Sequence, residues 1–143
     1  VDRSRGLGDV YKRQEVLFVL REMGHGDQIA LVDGNYPASA HANKLIRADG
    51  IELIHLLDSI LDILPIDNKT DAIVRAINVS KSDGIDPIHN DIEKTCSYYN
   101  FKAVPLDAES FYKRVKNAFA VIATTERCLY ANVILTKGII LPN

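Results

Sequence analysis

The stretch from Glu15 to Asp33 does most to restrict what this chain can fold into. Val16, Leu17, Val19, Leu20 and Met23 return at helical spacing, which predicts a helix over Glu15–Met23. Gly24 can end that helix as a left-handed C′ residue at no Cβ cost. Ile29-Ala30-Leu31-Val32 then reads as a buried strand, and Asp33 closes it before the turn Gly34-Asn35-Tyr36-Pro37. His25 is thus set at a helix-to-strand junction with glycine on both sides, where backbone and ring can both approach a ligand. A titratable ring at one junction and a carboxylate at the other mark a candidate site.

The same alternation continues down the chain. Gly34 to Lys44 is polar, holds Pro37 and shows no period, so it reads as an ordered loop, the kind of place where binding residues collect. Leu45-Ile46-Arg47 is too short to assign alone. Leu53, Ile54, Leu56, Leu57, Ile60, Leu61 and Leu64 trace a broad helical stripe over Ile51–Leu64, which Pro65 ends. Ala72–Val79 is a β-branched-rich strand, and Asp86-Pro87 opens a helix expected to reach about Tyr99. A short strand over Phe101–Pro105 and a helix capped by Asp107 follow. Phe119–Ala123 and Asn132–Thr136 read as two last strands. Helices alternating with strands, without internal repeats, predict an α/β sandwich around a central sheet.

Composition excludes several function classes. The 143 residues, 47% of them hydrophobic, suit one domain with a single core. A net charge of −2 with mixed signs gives no footprint for nucleic acid. Every apolar run is interrupted before it could span a bilayer, so no membrane association is expected. Cys96 and Cys128 lack metal-type spacing and read as free thiols. Nothing resembles a secretory signal, which leaves a cytoplasmic protein as the expectation. Val1–Gln14 has no initiator methionine and no apolar period, carries scattered Arg3, Arg5, Lys12 and Arg13, and ends on a poor capping residue. It reads as a non-native or disordered leader joined to one domain over residues 15–143.

The chemistry-bearing residues are few. There is no Gly-rich phosphate loop, no nucleophile elbow and no paired-cysteine spacing, so no cofactor and no metal is expected. Among the four histidines, His55 lies inside a helix and His89 in a helix's first turn, where structural or exposed roles suffice. His41, in the long loop, could line a site. His25 stands apart by its glycine-flanked junction, although a helix-terminal histidine favoured by the dipole would look the same. Asp33 could accept hydrogen bonds from two donors of a ligand, or equally bond the turn backbone before Gly34. Asp27 could orient His25 or cap the strand.

Gly24-His25-Gly26-Asp27, Asp33, Pro37-Ala38, Ile46-Arg47-Ala48-Asp49-Gly50, Phe119–Thr124 and Leu129–Leu135 together resemble the fucose mutarotase branch of the ribose pyranase/fucose mutarotase (RbsD/FucU) family. The blocks run in family order from about Glu15 to Gly138. The resemblance implies an α/β three-layer sandwich with a central mixed sheet (RbsD-like). It implies an isomerase that exchanges the α and β anomers of a free monosaccharide, L-fucose first, with ribose pyranose–furanose exchange or non-catalytic sugar binding as the alternatives. His25 is then the proton donor, with Asp33, Tyr130 and Asn132 binding the sugar. Ring opening needs a proton delivered to the ring oxygen and one removed from the anomeric hydroxyl, which imidazole can manage in both directions without a cofactor. Ring-shaped self-association is implied as well. Two positions depart from the family pattern: Ala108, where relatives often carry arginine, and Thr125, where glycine is usual.

Overall fold

The computed structural model describes residues 14–142. The leader expected over Val1–Gln14 therefore lies outside the described residues except for Gln14, which already belongs to the first helix. That helix, α1, covers residues 14–22. It is followed by β1 (Gln28–Val32), α2 (Ala38–His41), β2 (Leu45–Ala48), α3 (Leu53–Ile63), β3 (Ile73–Arg75), α4 (Pro87–Tyr98), β4 (Val104–Pro105), α5 (Ala108–Asn117), β5 (Ala120–Thr124) and β6 (Val133–Thr136).

The strands form one sheet in the order β2-β5-β1-β6-β3-β4. β6 runs against both of its neighbours, while the remaining pairs are parallel, so the sheet is mixed as expected. Side chains alternate across the strands and build two cores. Ile29 and Leu31 of β1 pack with Leu20, Met23, Leu57, Ile60 and Ile92 beneath α1, α3 and α4. Ala30 and Val32 meet Ala38, Phe111 and Val115 beneath α2 and α5. Helices on both faces complete the three layers. No helix among the described residues is long and apolar enough to cross a membrane.

Caps settle the helix starts. The Asp107 carboxylate accepts the Ser110 N–H (3.0 Å) and opens α5. α3 is capped from far along the chain: Glu126 Oε1 accepts the Leu53 N–H (3.2 Å). Thr125 takes part at the same corner, its hydroxyl accepting the Gly50 N–H (2.9 Å).

Several local expectations need correction. The segment after Pro37 is not all loop, since Ala38–His41 makes one helical turn over the sheet. β3 ends at Arg75, not near Val79. Beyond it the Asn78 side chain accepts from both the N–H and the hydroxyl of Ser80, drawing the backbone into a turn, and Val79 is left exposed. β4 is two residues long, because Pro105 has no N–H with which to continue pairing. Gly24 does not turn left-handed. Gly26 does, at φ 87°.

Gly138 sets the edge of the sheet. Its N–H donates to the Pro65 carbonyl (2.8 Å), and a Cβ placed there would lie 2.7 Å from the Ile66 carbonyl oxygen. Gly138→Ala is expected to lower stability by about 1–3 kcal/mol, because backbone on the facing segment must move. A thermal melt checks this, and an unchanged melting temperature would show that residues 65–67 adapt freely.

Candidate functional site

The expected site residues lie at opposite ends of β1. At its start, Gly24 N–H donates to Asp27 Oδ2 (2.7 Å) and Asp27 N–H to the Gly24 carbonyl (3.1 Å), tying residues 24–27 into a tight turn. Asp27 is thus a turn clamp. Gly26 N–H donates to the Lys137 carbonyl, and Lys137 N–H returns to the Asp27 carbonyl (both 2.9 Å), fastening the turn to the end of β6. Lys137 Nζ in turn donates to the Met23 carbonyl at the C-terminus of α1. Residues 65–67 run along the other side of this edge, with Asp67 N–H donating to the Thr136 carbonyl (3.0 Å). The result is a dyad: His25 Nε2 stands 3.4 Å from Asp67 Oδ1. The His25 side chain is 60% exposed, whereas that of Asp67 is nearly buried.

At the far end of β1, Asp33 is buried. Its Oδ1 accepts the Asn35 N–H (2.9 Å) and its Oδ2 the Ala131 N–H (3.2 Å), while its own N–H donates to Asn132 Oδ1 (2.8 Å). Burial raises the Asp33 pKa above the ordinary value, against the lowering pull of these backbone donors. The Asn132 carbonyl accepts the Ala76 N–H (3.0 Å), and the Tyr130 carbonyl lies 2.9 Å from His89 Nε2. Tyr130 itself sits at φ 59°, a left-handed conformation that costs a non-glycine residue about 1–2 kcal/mol. Asp33, Tyr130 and Asn132 therefore form one hydrogen-bonded cluster.

His25 is not part of it. Five strand residues separate the two ends, about 16 Å at ~3.3 Å per residue.

An aromatic group borders the Asp33 end, where Tyr36 N–H donates to the Asp33 carbonyl (3.3 Å). Tyr36 Oη lies 2.9 Å from His41 Nδ1, and the Tyr112 ring packs edge-on against both, at 5.6 and 5.2 Å. Burial pushes the Tyr36 hydroxyl upward and the His41 imidazole downward, so both are uncharged near neutrality. His41, expected as a loop residue, closes α2. His55 is exposed and His89 fully buried. Among the described residues no group of three or more His, Cys, Asp or Glu side chains could hold a metal ion.

Sequence reasoning missed Asp67, Tyr36 and Tyr112. Nothing in local spacing links Asp67 to His25, since the pairing of residues 66 and 137 brings them together. A groove of about 650 Å³ between α1 and α3 is walled in part by Val16, Leu17, Leu20, Leu56, Ile60 and Ile63. Glu52, His55 and Ser59 also line it, but none of the expected site residues does; those stand at the ends of β1.

Comparison with known proteins places the chain among relatives. The chain is 36% identical to the fucose mutarotase of Bos taurus over 136 residues, covering 90% of this chain and 89% of the relative. It is 38% identical to that of Mus musculus over 133 residues, covering 87% of each. Among solved structures, the fucose mutarotase from Streptococcus pneumoniae, crystallised with L-fucose, superposes with a TM-score of 0.83 at 42% identity, covering 89% of this chain and 93% of the other. Residues 12–140 match the model of one family, which takes in both ends of β1, and the chain belongs to it: the RbsD / FucU transport protein family.

Proposed function

We propose that this chain is an isomerase that interconverts the α and β anomers of free L-fucose. The likeness to a fucose mutarotase crystallised with L-fucose, running through 89% of this chain, carries the reading. His25 acts as general acid and base: it delivers a proton to the ring oxygen while the anomeric hydroxyl gives up its own proton to water, which leaves the open-chain aldehyde, and both transfers reverse as the ring closes on the other face. With Nε2 turned toward Asp67, Nδ1 is left free to exchange protons with the sugar. Asp33, Tyr130 and Asn132 hold the sugar through its hydroxyls. No cofactor is needed for these steps. Saturation-transfer proton NMR on a panel of monosaccharides tests the reading: exchange is expected with L-fucose first, and binding without exchange would leave a sugar-binding module instead.

Self-association belongs to the same proposal. A site open on one side, as at His25, needs walls from elsewhere. The C-terminal run Ile139-Ile140-Leu141, which follows Gly138 on that edge, is exposed and apolar and supports a subunit contact there. A ring of subunits would bring His25 of one copy to the Asp33, Tyr130 and Asn132 cluster of its neighbour. The free thiols of Cys96 and Cys128 suit a reducing compartment, so the cytoplasm is the proposed place of work.

Asp33 gives the pH dependence its sign. As a carboxylate it accepts hydroxyl hydrogen bonds, and protonation removes part of that capacity. Its raised pKa means that protonation begins at higher pH than for an exposed aspartate. Affinity for L-fucose is therefore expected to weaken as pH falls through that raised value. NMR titration at a series of pH values checks this, and a dissociation constant that stays flat would remove Asp33 as the acceptor.

A further inference from the structure

We propose that His89 is a positioning residue for the sugar site, holding the Tyr130 carbonyl and so setting where the Tyr130 ring and the Asn132 amide stand. The proposal rests on the reading of Tyr130 and Asn132 as sugar-binding residues. Its basis is one peptide plane. The Tyr130–Ala131 peptide is gripped at both ends: its carbonyl lies 2.9 Å from His89 Nε2, and its N–H donates to Asp33 Oδ2 at 3.2 Å.

The tautomer of His89 follows from its surroundings. Its ring is fully buried in the first turn of α4. Nδ1 lies 3.1 Å from the Asp86 N–H, which can only donate, so Nδ1 is bare and the proton is on Nε2. Nε2–H therefore donates to Tyr130. Burial lowers the His89 pKa below the ordinary value and Arg75 adds to this, while the Tyr130 carbonyl, Asp86 and Glu93 pull the other way. A second proton would also set Nδ1–H against the Asp86 N–H. The ring stays neutral and its tautomer single.

This grip matters because the conformation it holds is not one that tyrosine prefers. Tyr130 is left-handed, and a half-turn of the 130–131 peptide offers a competing arrangement. In that arrangement the carbonyl would face the Asp33 carboxylate and the N–H would face Nε2–H of His89, acceptor on acceptor and donor on donor. His89 and Asp33 thus select the same orientation from opposite sides. Two residues later, Asn132 Oδ1 accepts the Asp33 N–H, so the setting of one peptide passes to both sugar-binding side chains.

The test compares His89→Leu, which removes both ring hydrogen bonds, with His89→Gln, whose amide can accept from Asp86 and still donate to Tyr130. Tyr130→Ala and Asn132→Ala are controls. With L-fucose, His89→Leu is expected to raise KM about tenfold with kcat nearly unchanged, the mark of lost uniform binding. His89→Gln is expected to restore most of the loss, which a merely space-filling role would not give. A wild-type KM in His89→Leu, while the controls are impaired, overturns the proposal; so does an equal loss in His89→Gln. If the controls bind L-fucose normally, the assignment of the sugar site fails, and the proposal falls with it for a distinguishable reason. Should His89→Leu fail to fold, nitrogen-15 NMR of the unsubstituted chain decides: an Nε2-protonated ring whose signal moves on adding L-fucose supports the proposal, and a charged, Nδ1-protonated or unresponsive ring overturns it.

Discussion

Replacing His25 by alanine is expected to slow anomeric exchange of L-fucose by roughly 10²–10⁴-fold, the usual worth of a positioned general acid or base. The fold should survive. The side chain is mostly exposed and stands beside Asp67, while the turn around it is held by backbone contacts of Gly24, Gly26 and Asp27 with Lys137 and with each other. Circular dichroism should therefore match that of the unsubstituted chain while saturation transfer between anomers collapses. Asp67→Asn gives a graded companion. It keeps the shape but removes the charge beside Nε2, so it should lower kcat by less than His25→Ala and leave the melting temperature nearly unchanged. An active His25→Ala variant would move the proton transfer to another group, with the Tyr36–His41 pair beside Asp33 next to be tested.

The parts of this fold legible in the sequence are those whose periodicity reports burial directly. Val16, Val19, Leu20 and Met23 return on one face because α1 lies flat on the sheet, and Ile29 to Val32 are all apolar because β1 is covered on both faces. Single-turn and edge elements give no such signal. α2 has four residues and too little length for a period, and its identity comes from lying over β5 and α5. Leu45–Ala48 became a strand only by pairing with β5. The choice between Gly24 and Gly26 as the left-handed residue turned on the contact of Gly26 with Lys137, which sequence spacing does not report. The same holds for the site. His25 and Asp33 stood out as residue types at junctions, but their partners, Asp67 on one side and Ala131 and Asn132 on the other, are supplied by segments distant in the chain. Insertion of β6 antiparallel between β1 and β3 is what delivers both: its end carries Lys137 to Gly26, and its beginning carries Tyr130 and Asn132 to Asp33.

Mixing two inactive variants is expected to restore activity. Within one chain β1 keeps His25 and the Asp33 cluster about 16 Å apart, farther than a monosaccharide can bridge. If each working site combines His25 of one subunit with Tyr130 and Asn132 of the next, His25→Ala protein still offers an intact sugar cluster, and Asn132→Ala protein still offers an intact histidine. In an equal mixture whose subunits exchange freely, about a quarter of the head-to-tail contacts around a ring would join the two intact halves. Exchange activity should then rise from near zero to roughly that fraction of the unsubstituted rate. Asn132 also accepts the buried Asp33 N–H, so its loss can loosen the cluster; Tyr130→Ala serves as a second partner whose side chain makes no such bond. Sites confined to one subunit predict the opposite, because every copy in the mixture would lack one of the two groups. A mixture that stays inactive after mass spectrometry has shown mixed rings, or a monomer isolated with full activity, would end the shared-site reading and require instead that the chain bend at Gly26 far enough to bring its own His25 to its own sugar.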